Sequence, residues 1–384
     1  MSSKCVIKFD NNPEGIYESG ELLTGAVELT TVKVKVIRGI HVTINGYAKV
    51  RWKQQAAQMR RRQKTQDIVT YCSNQQYLSS RTYVVGEPEG DTFDLPAGTY
   101  LYRFQIQLPS DLPSSFEGQY GNIRYEVVVR IDRPFKFDNI FTHPFTVITP
   151  LNLNSDPTYK KPEEQSVEKA FWCGLCGSNP LIAKVILPQK GYAPGQDIHF
   201  VLSIDNAASI SCTDVIVTLE KNACYTSHYP ATEKRYDNIK LFEKNLGPVP
   251  KTQQREFHDF ITLPVIPPTL VNVCKVIQVT YRLNFDIRVS GCHRNVEVAV
   301  PIVVGTIPIL SEDDRVIQSQ PSAPKLDEDE ISSRFNWPFV SPPSYEEAVR
   351  TGNRFVDEEA DRHSIHKSYM PKYPVYYNCK TPSP

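Results

Sequence analysis

Residues 17–29 read YESGELLTGAVEL, and residues 192–204 read YAPGQDIHFVLSI. Laid over each other, Tyr17 meets Tyr192, Gly20 meets Gly195, Leu23 meets Ile198, Val27 meets Leu202 and Leu29 meets Ile204, at an offset of 192 − 17 = 175 residues. Tyr-x-x-Gly followed by alternating apolar positions describes a turn entering a strand, the glycine supplying a backbone angle or a close approach that other residues resist. Two such stretches raise the question of whether one domain is present twice.

Three later landmarks answer it, because they recur in the same order. LPSDLP from Leu108 lines up with LPVIPP from Leu263, Tyr125 falls opposite Tyr281, and PFTVI from Pro144 meets PIVVG from Pro301. The offset slips from 175 to 263 − 108 = 155, so the first copy carries about 20 more residues between landmarks, for which RWKQQAAQMRRRQKTQ (residues 51–66) is the expected insertion.

Alternation with a period of two dominates both copies. In GNIRYEVVVRID, Ile123, Tyr125, Val127, Val129 and Ile131 share one face of a half-buried strand, while Arg124, Glu126, Arg130 and Asp132 fall on the other. Val215, Val217 and Leu219 alternate with polar neighbours, and Val296, Val298, Val300 and Ile302 line one side of VEVAVPI. Turn-rich pieces such as NNPEG, LPSDLP and LPVIPP divide the strands, and no sustained helical stripe competes. An all-β chain of antiparallel sandwiches follows. Its expected parts are a first domain over 1–154, a polar linker over 155–170, a second domain over 171–306 and a disordered tail over 307–384, where SEDD and SAPKLDEDEISS lack a core-forming pattern.

Composition narrows the function. Lys plus Arg and Asp plus Glu both total 43, so no net charge draws the whole molecule to nucleic acid or a membrane, and any electrostatic function is local. The start MSSKCVIKFD has no apolar signal core, and no apolar run reaches spanning length. Nine cysteines in an odd, scattered set, with no Asn-x-Ser/Thr acceptor, fit packed thiols in a reducing compartment. The expected setting is soluble and intracellular.

The ordered series of YESGELLTGAVEL, VRWK, LPSDLPSSFEGQYGNIRYEV, PFTVITPLNLN, CGLC followed by KGYAPGQDI, and the tail motif PPSY resembles the arrestin domain-containing proteins, or α-arrestins. The resemblance covers both domains and the tail. It implies two arrestin-fold β-sandwiches in tandem and a non-enzymatic adaptor: the tail binds WW domains of Nedd4-family HECT ubiquitin ligases, and the body engages membrane receptors or transporters as cargo. That in turn implies ubiquitination and endocytosis of the cargo, with a cytoplasmic protein recruited peripherally to plasma membrane and endosomes. The alternative is an arrestin-fold trafficking scaffold or coat subunit that works without a ligase.

Pro342, Pro343 and Tyr345 in SPPSYEEAV are the expected ligase contact. Prolines pre-set the extended left-handed conformation and so reduce the entropy lost on docking in an aromatic groove, and the Tyr345 ring offers an apolar body with a polar tip. Family members often carry two such motifs, whereas PKYPVYYN near the end of this chain lacks the paired prolines. Arg60, Arg61, Arg62 and Lys64 form the one conspicuous basic run; it reads as a solvated loop between strands, with contact to phosphorylated cargo or anionic lipid as the functional reading. Cys173 and Cys176 of CGLC are a weak zinc or thiol-enzyme candidate, since no second pair stands at finger spacing and only His199, Cys212 or Cys224 could complete a site through the fold. No P-loop, nucleophile elbow or His-Glu-x-x-His is present, and the expectation is a protein with no cofactor, no metal and no catalytic residues.

Overall fold

Tyr17 and Tyr192, which open the two repeated stretches, occupy equivalent places in space. The computed structural model describes residues 3–60, 63–134, 136–173, 176–177, 179–309 and 369–376, with backbone alone for 56–60, 63–67, 172–173 and 176–177. The first sandwich is built from β1 (Ser3–Phe9), β2 (Ile16–Glu18), β3 (Leu22–Thr31), β4 (Lys35–Ile37), β5 (Gly39–Arg60), β6 (Gln63–Gly86), β7 (Phe93–Leu95), β8 (Gly98–Gln107), β9 (Phe116–Glu117), β10 (Gly121–Asp132) and β11 (Asn139–Ile148). The second uses β12 (Glu163–Lys169), β13 (Trp172–Cys173), β14 (Cys176–Gly177), β15 (Leu181–Leu187), β16 (Gly191–Tyr192), β17 (Asp197–Asn206), β18 (Cys212–Ser227), β19 (Glu233–Val249), β20 (Gln253–Thr262), β21 (Ile277–Val289) and β22 (Val296–Val304).

In the first sandwich β1-β3-β8 faces β2-β11-β10-β5-β6, with β9 on β10; in the second β12-β15-β17-β20 faces β16-β22-β21-β18-β19. Among the strands of the described residues the expected antiparallel pairing holds except at one equivalent place in each domain. There the strand carrying the repeated tyrosine runs parallel to the domain's last strand, Tyr17 opposite Val147 and Tyr192 opposite Val304. Among the described residues the only helical turn is a short 3₁₀ turn at Pro157–Lys160, capped by Asp156, and no helix is long and apolar enough to cross a membrane.

The repeated sequence landmarks bond to one another. Gly20 and Gly195 have φ of +87° and +90°, a left-handed geometry that glycine adopts without a Cβ penalty. Their amides donate to the carbonyls of Pro109 and Leu263 at 3.0 and 2.8 Å, while Leu108 and Leu263 donate back to Glu21 and Gln196. Within the same loops the hydroxyl of Tyr125 donates to the Pro113 carbonyl at 2.6 Å, and that of Tyr281 to the Pro267 carbonyl at 2.7 Å. Both rings are buried, and burial pushes both phenols well above their ordinary pKa, so each remains a donor. The alternating residues Leu23, Val27, Leu29, Ile123, Val127, Val129, Ile131 and their counterparts Ile198, Leu202, Ile204, Val279, Leu283, Phe285, Ile287 all lie in the core.

Three boundaries differ from the sequence reading. Residues 163–169, expected within the 155–170 linker, form β12 and pair antiparallel with β15, because EEQSVEK can serve as a polar edge strand whose backbone groups are satisfied on one side. The extra residues of the first copy are not one insertion. The paired hairpin spans 39–86 against 212–249, ten residues longer, and the following connection spans 87–97 against 250–252, eight longer, with β7 pairing back onto β4. Finally, residues 307–309 and 369–376, expected within a disordered tail over 307–384, are packed against the body: Ile307 bridges to Asn152, the Asn154 amide donates to the Pro308 carbonyl, and Val375 is 2% exposed. The last of these was hidden because a chain of Pro and Tyr has no strand or helix period of its own and acquires partners only from the folded surface.

The equivalent tyrosine bonds predict equivalent losses. Tyr125→Phe leaves the buried Pro113 carbonyl and Tyr281→Phe the part-buried Pro267 carbonyl without its donor, a loss of about 1–3 kcal/mol in the stability of the affected sandwich, measured by urea unfolding. Changes below about 0.5 kcal/mol in both variants would show that these bonds do not hold the sandwiches closed.

Candidate partner-binding surfaces at the domain seam

The long hairpins β5-β6 and β18-β19 meet across the seam between the sandwiches. Cys72 of β6 and Tyr229, in the turn of the second hairpin, exchange backbone bonds of 2.8 and 3.1 Å, so the ladders of the two domains touch end to side. Lys275 of the second domain donates its amide to the Gln75 side chain of the first at 3.2 Å. Beneath this contact the β9-β10 turn of the first domain inserts against β18. The Tyr120 ring meets Tyr225 edge to face at 5.6 Å and Phe116 lies 6.5 Å from the same ring. A Cβ at Gly118 would stand 2.0 Å from the Tyr225 hydroxyl, so only glycine permits this approach. Lys221, buried in β18, places its ammonium 5.8 Å from the Phe116 ring; burial lowers its pKa and the nearby Asp237 opposes the shift.

On the outer side of this contact an open concavity of about 440 Å³ is lined by Trp52, Lys53, Gln54, Gln55, Lys234 and Arg235. Trp52 is held by stacking on Tyr71 across the hairpin at 5.6 Å. The Arg235 guanidinium lies 4.2 Å from the centroid of the Tyr120 ring, and a guanidinium is a planar fork chemically suited to carboxylate or phosphate. Lys53 and Lys234 are exposed at the rim. Charge from both domains thus converges on one surface. Sequence reasoning missed Lys234 and Arg235, since two adjacent basic residues specify nothing until the hairpins are brought together.

The basic run lies further along the same hairpin. Arg60 ends β5 opposite Gln63, and Lys64 of β6 pairs with Met59 of β5, while Arg61 and Arg62 lie outside the described residues. The expectation of a loop therefore gives way to strand for Arg60 and Lys64: the ladder continues unbroken from Trp52 opposite Tyr71 out to Arg60 opposite Gln63, satisfying backbone groups that a loop would leave to water. Pro342, Pro343 and Tyr345 lie outside the described residues. The backbones of Cys173 and Cys176 face each other in the two-stranded ribbon β13-β14. Their suggested completing residues are dispersed: His199 packs on Phe260 at 5.5 Å, Cys212 is in the core opposite Val249 and Val289, and Cys224 pairs with Tyr236 and Gln278. Among the described residues no three His, Cys, Asp or Glu side chains gather as a metal site.

On the opposite side of the seam Arg124, expected on the solvated face of β10, is 8% exposed. Its guanidinium forms a two-bond fork with Glu117 at 2.6 and 3.0 Å. The returning segment 369–376 lies alongside this pair, with Tyr369 and Tyr373 close enough for their phenols to feel the Glu117 charge.

Comparison with known proteins agrees with this architecture. Residues 5–154 match the arrestin (or S-antigen) N-terminal domain, and residues 177–309 match the arrestin (or S-antigen) C-terminal domain. The chain is 29% identical to arrestin domain-containing protein 17 of Caenorhabditis elegans over 308 residues, covering 79% of this chain and 70% of that protein. It is 26% identical to arrestin domain-containing protein 1 of Rattus norvegicus over 358 residues, 93% of this chain and 75% of the relative. Arrestin domain-containing protein 4 of Mus musculus is also 26% identical, over 97% of this chain and 85% of its own length.

The fit of Gly118 against Tyr225 gives a direct test of the seam. Gly118→Ala should lower stability by about 1–3 kcal/mol through overpacking, seen as a lower calorimetric midpoint, and adding Tyr225→Phe, which removes the clashing oxygen, should recover part of the loss. An unchanged midpoint in Gly118→Ala would mean that the two domains are not pressed together there.

Proposed function

The chain belongs to the arrestin domain-containing family, and from that premise we propose that it is a non-enzymatic trafficking adaptor that recruits a Nedd4-family HECT ubiquitin ligase to membrane-protein cargo. The observation that carries this reading is the tandem of two arrestin sandwiches followed in one chain by Pro342-Pro343-Ser344-Tyr345. A short proline motif is weak by itself; behind a tandem arrestin body it has a use. The adaptor works by effective concentration. One polypeptide holds ligase and cargo together, so ubiquitin transfer to the cargo becomes intramolecular, and endocytosis and endosomal transport follow.

Pro342 and Pro343 would dock as a preformed extended helix in an aromatic groove of a WW domain, and Tyr345 would fill the adjoining pocket. Cargo would meet the seam. Its Arg235 fork, together with Lys53 and Lys234 and the basic run of Arg60, Arg61, Arg62 and Lys64, suits an acidic or phosphorylated cytoplasmic tail. The working location is the cytoplasmic face of plasma membrane and endosomes, reached through cargo rather than through a membrane segment.

Two measurements test the halves of this reading separately. The tail peptide 330–360 should bind isolated WW domains of a Nedd4-type ligase with micromolar affinity, and Tyr345→Ala should weaken it by at least about tenfold, because the ring is the anchor of the contact. Absence of binding by the wild-type peptide would leave an arrestin-fold scaffold that acts without a ligase. In the full chain, Lys53→Glu with Lys234→Glu should reduce capture of phosphorylated cytoplasmic-tail peptides at low ionic strength and leave WW-domain binding unchanged. Equal peptide capture by the double variant would remove the seam from the cargo reading.

A further inference from the structure

Segment 369–376, YMPKYPVY, returns to the body and bonds to both sandwiches. On the first, the Tyr369 hydroxyl donates to the Phe145 carbonyl at 2.9 Å and lies 2.9 Å from the Thr146 hydroxyl; Lys372 pairs with Glu14, and the Tyr373 hydroxyl donates to the Ser115 carbonyl at 2.9 Å. On the second, the Tyr376 amide donates to the Pro194 carbonyl at 2.8 Å and its hydroxyl to the Thr306 carbonyl at 2.5 Å. Pro371, Pro374 and Val375 are buried. A Cβ at Gly195 would stand 2.4 Å from the Tyr376 carbonyl oxygen, so the repeated glycine of the second domain also makes room for this segment.

The chemistry of the three tyrosines is uniform. Each hydroxyl gives its proton to a backbone carbonyl, an acceptor that cannot reverse its role. Tyr373 bonds to the first domain through Ser115 and lies near Tyr281 of the second domain and Glu117 of the first. We propose that residues 369–376 are a strap fastening the two sandwiches to each other, and that phosphorylation of Tyr373 by a tyrosine kinase holds the strap open. The strap opens transiently by local unfolding, as terminal segments do. The kinase then transfers the γ-phosphoryl group of ATP to the exposed Tyr373 oxygen; the phenolic proton leaves to the enzyme's base and ADP departs. The product has no donor proton for the Ser115 carbonyl and brings a charge of about −1.5 to −2 beside Glu117, while the Arg124 fork nearby is already engaged with that carboxylate. Reclosure is disfavoured on both counts. Release would undo the domains' shared fastening and leave the Ser115 and Phe145 carbonyls without the tyrosine donors that cover them. None of this depends on the ligase or cargo readings.

Amide hydrogen exchange on the full chain tests the proposal, comparing unmodified protein with protein carrying phosphotyrosine at position 373, installed by genetic code expansion. In the unmodified chain the Tyr376 amide should exchange at least about tenfold more slowly than in the free peptide, and with phosphotyrosine it should exchange at the free-peptide rate. Tyr373→Phe, which keeps the ring but cannot be modified, should retain part of the protection. Free-peptide exchange in the unmodified chain would overturn the strap. Equal protection in the phosphorylated chain, or full loss in Tyr373→Phe, would overturn phosphorylation as its release.

Discussion

A buried tyrosine hydroxyl that reaches a proline carbonyl, Tyr125 to Pro113 and Tyr281 to Pro267, is the constraint on which each sandwich depends. The proline loop supplying that carbonyl is also bonded to the turn that carries Gly20 or Gly195. That turn in turn places Tyr17 or Tyr192 beside the last strand of its domain. Entry strand, crossing loop and closing strand are therefore tied at one corner. Because a buried polar group left without its partner costs more than the bond itself contributes, the corner tolerates little variation, and the same residues mark both copies.

The corners also set the seam. With each sandwich closed at the same place, the hairpins β5-β6 and β18-β19 project side by side, and the Cys72 to Tyr229 bridge joins them. Basic and aromatic side chains from both domains then face one concavity, whereas the opposite side of the seam holds the Arg124–Glu117 fork and receives segment 369–376. One side presents cationic groups to solvent; the other buries its ion pair under tyrosines. The two faces suit different work, recognition on the first and fastening on the second.

Much of the candidate binding surface was not legible along the chain. The basic run at Arg60, Arg61, Arg62 and Lys64 is conspicuous as sequence, yet Lys234 and Arg235 become part of a site only where two hairpins from different domains converge. Arg124 reads as solvated from its place in the alternation, and is buried because Glu117 and the returning segment cover it. PKYPVYYN reads as a failed proline motif, and the hydroxyls of its Tyr373 and Tyr376 find their acceptors 258 and 70 residues away in sequence.

What the sequence by itself determined was the duplicated all-β architecture: alternation assigns faces to strands, glycine and proline punctuate them, and recurrence of Tyr-x-x-Gly, Leu-Pro and the later tyrosine identifies two copies of one domain. These are local rules, and local rules survive in a string of letters. Tertiary structure alone decided that residues 163–169 are an edge strand, that the extra length of the first copy is shared between a hairpin and a connection, and that a tail segment crosses the seam. Each of these is a choice among partners remote in sequence, and a hydrogen-bond donor carries no mark of which distant acceptor the folded surface will bring to it.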